Sequence, residues 1–119
     1  MKPTLVIGAS ENPERYSYKA INMLLDHNHS VYGYGIKSGQ VRGVEFMTEF
    51  TPIKVDTVTM YVGAKNQDMD LRNYILSLKP NRVIFNPGTE NPAWEAELND
   101  YGITTEEACT LVLLQTGQY

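Results

Sequence analysis

The residues with chemistry to offer are spread along the chain rather than gathered in one motif. Gly8-Ala9-Ser10 follows the apolar run Thr4-Leu5-Val6-Ile7. That is the setting of a phosphate-binding loop opening into a helix whose N–H groups can face an anion. A single glycine after a strand would equally serve a tight βα turn. Arg15, before the following helical segment, and Lys37, beyond the next apolar run, could each bring positive charge to an anion or simply be solvated surface cations. A dinucleotide fingerprint would put glycines at the first, third and sixth loop positions; this chain has Gly8, Ser10 and Pro13 there. It would also want an acidic residue closing the second strand, for the ribose hydroxyls. The chain instead runs Tyr34-Gly35-Ile36-Lys37. An NAD site fails on both counts, and an NADP-like site on the first alone.

Other polar residues read more plainly. His27 and His29 flank the end of the first helical segment, where an imidazole suits the helix dipole, and read as structural. Glu95, Glu97 and Asp100 read as a solvated helix face, and nothing supplies metal-ligand spacing. The lone cysteine, Cys109, has no histidine placed to activate it and reads as a small buried hydrophobe or as a thiol on a loop after the last strand. No complete catalytic apparatus is legible, so the chain reads as a binder.

The elements that must position these residues follow from periodicity. Short β-branched runs lie at Thr4–Ile7, Ser30–Tyr34, Thr57–Val62, Arg82–Phe85 and, more weakly, Gly102–Thr105. Between them Ala20, Ile21, Leu24 and Leu25 fall at helical spacing, as do Leu71, Tyr74, Ile75 and Leu78, and then Trp94, Leu98 and Tyr101. The first helix becomes regular near Ser17, because Asn12-Pro13-Glu14 reads as a turn. Pro80 and Gly102 stop the second and third helices, and Asn91-Pro92 starts the third. Thr110–Leu114 fits a short helix or a strand. This alternation predicts a Rossmann-like α/β three-layer sandwich around a mainly parallel five-stranded sheet. Ligands of such sheets bind outside the carboxyl ends of the strands. Gly8-Ala9-Ser10, Gly35-Ile36-Lys37, Gly63-Ala64, Asn86-Pro87-Gly88-Thr89 and the segment 106–110 should therefore share one rim. Four of these five loops contain glycine, which lets a ligand approach the backbone closely.

Composition sets the outer limits. A chain of 119 residues, 42% hydrophobic and 20% charged, predicts one globular domain spanning 1–119. The net charge of −4 and scattered basic residues argue against a nucleic-acid partner. An anionic small ligand remains compatible with an acidic chain, held by local cations and backbone N–H groups. One cysteine allows no internal disulfide. The opening run is too short for a signal-peptide core, and no stretch approaches the ~18 apolar residues that span a bilayer. The chain reads as soluble and cytoplasmic, with no membrane partner; a protein partner and homo-oligomerisation are left open.

The segments Gly8-Ala9-Ser10-Glu11-Asn12-Pro13-Glu14-Arg15-Tyr16-Ser17, Asn86-Pro87-Gly88-Thr89 and Glu107-Ala108-Cys109 resemble the motifs of small bacterial CoA-binding domain proteins. That family is similar to the CoA-binding domain of the succinyl-CoA synthetase alpha subunit and to ADP-forming acyl-CoA synthetases. The resemblance covers nearly the whole chain, in order. It implies coenzyme A or an acyl-CoA lying across the strand ends. By motif, Gly8, Ala9 and Ser10 would meet phosphate or pantetheine through backbone N–H groups, and Arg15 and Ser17 would hold phosphate. Lys37 would sit near the adenosine phosphate; Val62, Gly63 and Ala64 would line the adenine or pantetheine wall. Asn86, Pro87, Gly88, Thr89 and Cys109 would border the thiol end. The chain departs from the pattern at Gly35-Ile36, where most members carry proline, and at Ser17 or Tyr18, where many carry glycine. The phosphohistidine partner and grasp domains of a synthetase are absent from it.

Overall fold

Four-residue strands that are buried along their whole length, as at Thr4–Ile7, Thr57–Met60 and Arg82–Phe85, need cover on both faces. The computed structural model, which describes residues 1–119, supplies it. Its elements run β1 (Thr4–Ile7), α1 (Tyr16–Asp26), β2 (Val31–Tyr34), β3 (Gln40–Val41), β4 (Val44–Met47), β5 (Thr57–Met60), α2 (Met69–Leu78), β6 (Arg82–Phe85), α3 (Pro92–Asp100), β7 (Thr104–Glu107) and α4 (Thr110–Gln115). Side chains alternate across the sheet, so β1 feeds two apolar clusters. Leu5 and Ile7 pack with Leu71 and Ile75 of α2 and Trp94 and Leu98 of α3. Val6 points the other way, to Ile21 and Leu24 of α1 and Leu114 of α4. The result is a three-layer Rossmann-like α/β sandwich.

The sheet has seven strands in the order β3-β4-β2-β1-β5-β6-β7, so the expected five is corrected. All neighbours are parallel except β3 and β4. The two extra strands are joined by Arg42-Gly43, both at positive φ (50° and 85°), the backbone of a two-residue hairpin turn. Arginine tolerates this conformation while its guanidinium is held by Asp26 at 2.7 Å and the Asn22 carbonyl at 3.2 Å. β5 stops at Met60 rather than Val62. β7 begins at Thr104, because Gly102 (φ 81°) still belongs to the turn leaving α3. Thr110–Leu114, open between helix and strand in sequence, lies within α4.

Register carries this architecture to the site. Ile7 lies opposite both Tyr34 and Met60, Met60 opposite Phe85, and Phe85 opposite Glu107. The strands therefore end level, and the loops after them share one rim. Helix starts are fixed locally: Asp68 accepts from the Leu71 N–H at 2.9 Å, and Asn91 accepts from the Trp94 N–H at 3.3 Å, with Pro92 opening α3. No helix is long and apolar enough to cross a membrane.

Candidate ligand-binding site

The chain passes from β1 outward to β2, then returns to place β5 on the other flank of β1. The carboxyl ends of β1, β2 and β5 thus form the crevice at a reversal of strand order, where open α/β sheets bind ligands. Gly8 turns the chain out of β1 at φ 93°. A Cβ there would sit 3.2 Å from both the Tyr61 carbonyl oxygen and Val62 Cγ2. Across the crevice, a Cβ on Gly35 would come within 2.8 Å of the Ala9 carbonyl oxygen, a backbone atom with little room to give. Glycine at these two points lets three loops close on one another.

Gly8, Ala9, Ser10, Arg15 and Lys37 line one cleft of about 380 Å³ there, together with Glu11, Asn12, Ile36, Ser38 and Phe46. The N–H groups of Gly8 and Ala9 both donate to the Tyr34 carbonyl at 2.9 Å, so they lock the loop to β2. The N–H groups of Ser10 and Glu11 have no protein acceptor. Beyond them Asn12 forms the expected turn: its N–H donates to Ser10 Oγ at 3.0 Å, and its Oδ1 accepts from the Glu14 N–H at 3.0 Å. Arg15 is the N-cap residue of α1, and no side chain caps that helix. Ser17 is buried in its first turn. Neither Arg15 nor Lys37 is in an ion pair; the two ion pairs of the chain are Arg42–Asp26 and Arg82–Glu106. The cleft thus presents two exposed, unpaired cations, two free backbone donors and an uncapped helix start.

The remaining sequence-predicted residues lie along the same rim but outside this cleft. Val62 and Gly63 are half-buried, and exposed Ala64 opens a short 3₁₀ turn, Ala64–Asn66. Asn86 is buried, and its amide is spent within the protein: Nδ2 donates to Thr59 Oγ1 at 2.7 Å and to the Met60 carbonyl at 2.9 Å, while Oδ1 accepts from the Thr110 N–H at 2.8 Å. Buried Thr89 donates its hydroxyl to the Asn86 carbonyl at 2.8 Å. Pro87 and Gly88 are exposed, with Gly88 at φ 90° and its N–H donated to Glu90 at 2.9 Å. Half-buried Cys109 is the N-cap residue of α4. Beside it, burial pushes the Tyr61 hydroxyl above its ordinary range, and proximity to Cys109 adds to the effect.

Sequence reasoning missed Gln67, which holds this part of the rim. Its Nε2 donates to the carbonyls of Val62 and Thr89, each at 2.8 Å, and its Oε1 accepts from Asn91 at 2.9 Å. No periodicity or motif marks it. Glu11, next to the glycine loop, was also passed over. His27 and His29 stand at the opposite end of the sheet: His27 Nδ1 bonds the Met23 carbonyl at 2.8 Å, and His29 Nδ1 accepts the Lys2 N–H at 2.8 Å. A larger hollow of about 530 Å³ also lies at that end, between the C-terminal ends of α2 and α3. Helix C-termini present carbonyls, which repel anions, so the smaller cleft is the better site for an anionic ligand.

Comparison with known proteins bears on this geometry. Residues 2–115 match the family model of the CoA binding domain. No protein of curated function matches the chain. The crystal structure of an uncharacterised protein, 47% identical, superimposes with a TM-score of 0.96, covering 100% of this chain and 98% of that one. A protein from Thermus thermophilus, 21% identical, gives a TM-score of 0.86 with 99% and 90% covered. A hypothetical protein from Pyrococcus horikoshii OT3, 22% identical, gives 0.85 with 95% and 81% covered. The last two resemble it in fold alone.

Proposed function

This chain belongs to the CoA binding domain family, and from that premise we propose that it is a single-domain binder of coenzyme A or an acyl-CoA, acting as a carrier, sensor or accessory subunit rather than a catalyst. The observation that carries the reading is the cleft at the strand-order reversal, where Arg15 and Lys37 stand without carboxylate partners. An unpaired guanidinium can take phosphate oxygens bidentately, and an ammonium adds a point charge. The Ser10 and Glu11 N–H groups and the head of α1 would complete the anion's hydrogen bonds. In this proposal the phosphates lie in the cleft between the β1 and β2 loops, and pantetheine runs along the rim past Val62–Ala64 and Asn86–Thr89 toward Cys109. Burial of Asn86 and Thr89 gives them the role of shaping that stretch, leaving Pro87, Gly88 and the backbone to meet the ligand.

The test is a calorimetric titration of dialysed protein with CoA, dephospho-CoA, NAD and NADP, alongside mass spectrometry of protein purified under native conditions. Saturable uptake of CoA, with NAD silent, is expected. Uptake of NADP in preference to CoA would replace the proposal with a dinucleotide-binding enzyme or accessory subunit, the reading favoured by a lysine where NAD sites carry an acid. Silence toward all four would refute both.

A further inference from the structure

Glu11 is the one acidic side chain lining a cleft whose other charged groups are Arg15 and Lys37. It pairs with neither. Its Oε2 instead accepts the Gln40 N–H at 2.9 Å, on the far side of the loop that carries Lys37. Gly39 makes room for this bond: a Cβ there would fall 2.6 Å from Glu11 Cδ and 2.8 Å from Cγ. At its other end the same loop is seated by Gly35 against the Ala9 carbonyl, where a Cβ would come within 2.8 Å. Lys37 is therefore carried on a span packed against the β1–α1 loop at one end and hydrogen-bonded to it at the other, while Ile36, Lys37 and Ser38 between them are exposed. Glu11, Ser38 and Phe46 line both this cleft and a second hollow of about 380 Å³ against β3 and β4.

We propose that Glu11 is a positioning residue for phosphate recognition, its carboxylate strapping the 36–40 loop so that Lys37 is held at the cleft and both cations stay free for the ligand. A carboxylate in an anion cleft ought to weaken binding by repulsion. Here its hydrogen bond to a backbone N–H draws it into a structural role, and the loop is ordered before the ligand arrives, which lowers the ordering cost of binding. The inference rests on the phosphate-bearing ligand proposed above.

The experiment measures CoA affinity by calorimetry for the unsubstituted protein, Glu11→Ala, Glu11→Gln, Lys37→Ala and the double variant Glu11→Ala with Lys37→Ala. Glutamine keeps an oxygen for the Gln40 N–H and loses only the charge. Glu11→Ala should weaken CoA roughly tenfold, the net scale of one hydrogen bond. Glu11→Gln should bind at least as tightly as the unsubstituted protein. In the Lys37→Ala background, Glu11→Ala should cost about twofold at most, because it acts through the lysine. Glu11→Gln as weak as Glu11→Ala, or a full cost in the Lys37→Ala background, would overturn the proposal. If the unsubstituted protein takes up no CoA, the ligand reading itself fails, and amide exchange at Gln40 decides the strap. Faster exchange in Glu11→Ala but not in Glu11→Gln upholds it, and equal exchange in all three overturns it.

Discussion

Replacing Asn86 with alanine separates a residue that touches ligand from one that holds the rim. Asn86 is 2% exposed, and its side chain joins β6 to the end of β5 and the head of α4 by three hydrogen bonds. Thr59 Oγ1 would keep a partner in the Thr110 hydroxyl at 2.7 Å. The Met60 carbonyl and the Thr110 N–H would lose the Asn86 amide. With the two buried groups left unpaired costing about 1.5 kcal/mol each, within the range of about 1–3 for such orphans, the expected destabilisation is about 3 kcal/mol. For a chain of this size that corresponds to a fall in melting temperature of roughly 10 °C. Asn86→Asp should do no better: it can still accept from Thr110, but it loses both donors and sets a carboxylate against the Met60 carbonyl. Calorimetric melting reads the stability, and CoA titration well below the transition reads the affinity of the folded fraction. A variant within about 0.5 kcal/mol of the parent in stability, the range of an ordinary surface change, yet deficient in CoA binding, would refute the structural role and return Asn86 to the ligand.

The other predictions follow from the same geometry. CoA should raise the melting temperature, by the equivalent of about 2.7 kcal/mol at a hundredfold excess over its dissociation constant; no shift at millimolar CoA refutes the ligand reading. Arg15→Ala and Lys37→Ala should each weaken CoA by about 1.5–3 kcal/mol while leaving the melting temperature unchanged, since both side chains are exposed and unpaired. Dephospho-CoA should be insensitive to whichever of the two meets the 3′-phosphate. Gly35→Ala should destabilise by about 1–3 kcal/mol, because its Cβ would meet the Ala9 carbonyl oxygen at 2.8 Å; chemical denaturation checks this. His29 has its pKa lowered by burial first, then by the charges of the amino terminus, His27, Lys2 and Arg82. The unfolded chain therefore binds the proton more readily than the folded one, so His29's contribution is present above its ordinary pKa of 6.5 and lost as pH falls through the lower folded value. The melting temperature should fall as pH drops from about 6.5 toward that lower value, and His29→Asn should flatten the fall.

Much of the fold was legible because it is written in local pattern. The runs at Thr4–Ile7 and Val83–Phe85 are continuous in apolar or β-branched residues, and Pro80, Asn91-Pro92 and Gly102 punctuate the helices where the structure ends or begins them. β3 and β4 escaped because their pattern is short and broken. Gln40 and Glu45 face each other in the ladder as polar residues, and the turn uses arginine where asparagine or aspartate would have advertised positive φ. Arg42 occupies that position because Asp26 and Asn22, at the end of α1, reach its guanidinium, a contact across 16 to 20 residues that no local window contains.

The candidate site divides along the same line. The alternation of strands and helices was enough to expect the glycine loops on one rim, but not to tell which polar atoms on it are free. Gly8 and Ala9 look like phosphate donors from sequence, and both N–H groups go to the Tyr34 carbonyl. Asn86 and Thr89 look like ligand contacts, and they bond to β5, α4 and each other over separations of up to 27 residues. Arg15 and Lys37 read from sequence as either anion ligands or solvated surface cations, and they share a cleft with a glutamate that pairs with neither. With the first two loop donors spent on β2, the free backbone donors begin one step further along, at Ser10 and Glu11, toward Arg15 and α1. In the reading proposed above, anion recognition shifts from the glycine turn itself toward Arg15 at the head of α1 and Lys37 on the loop that Glu11 bonds.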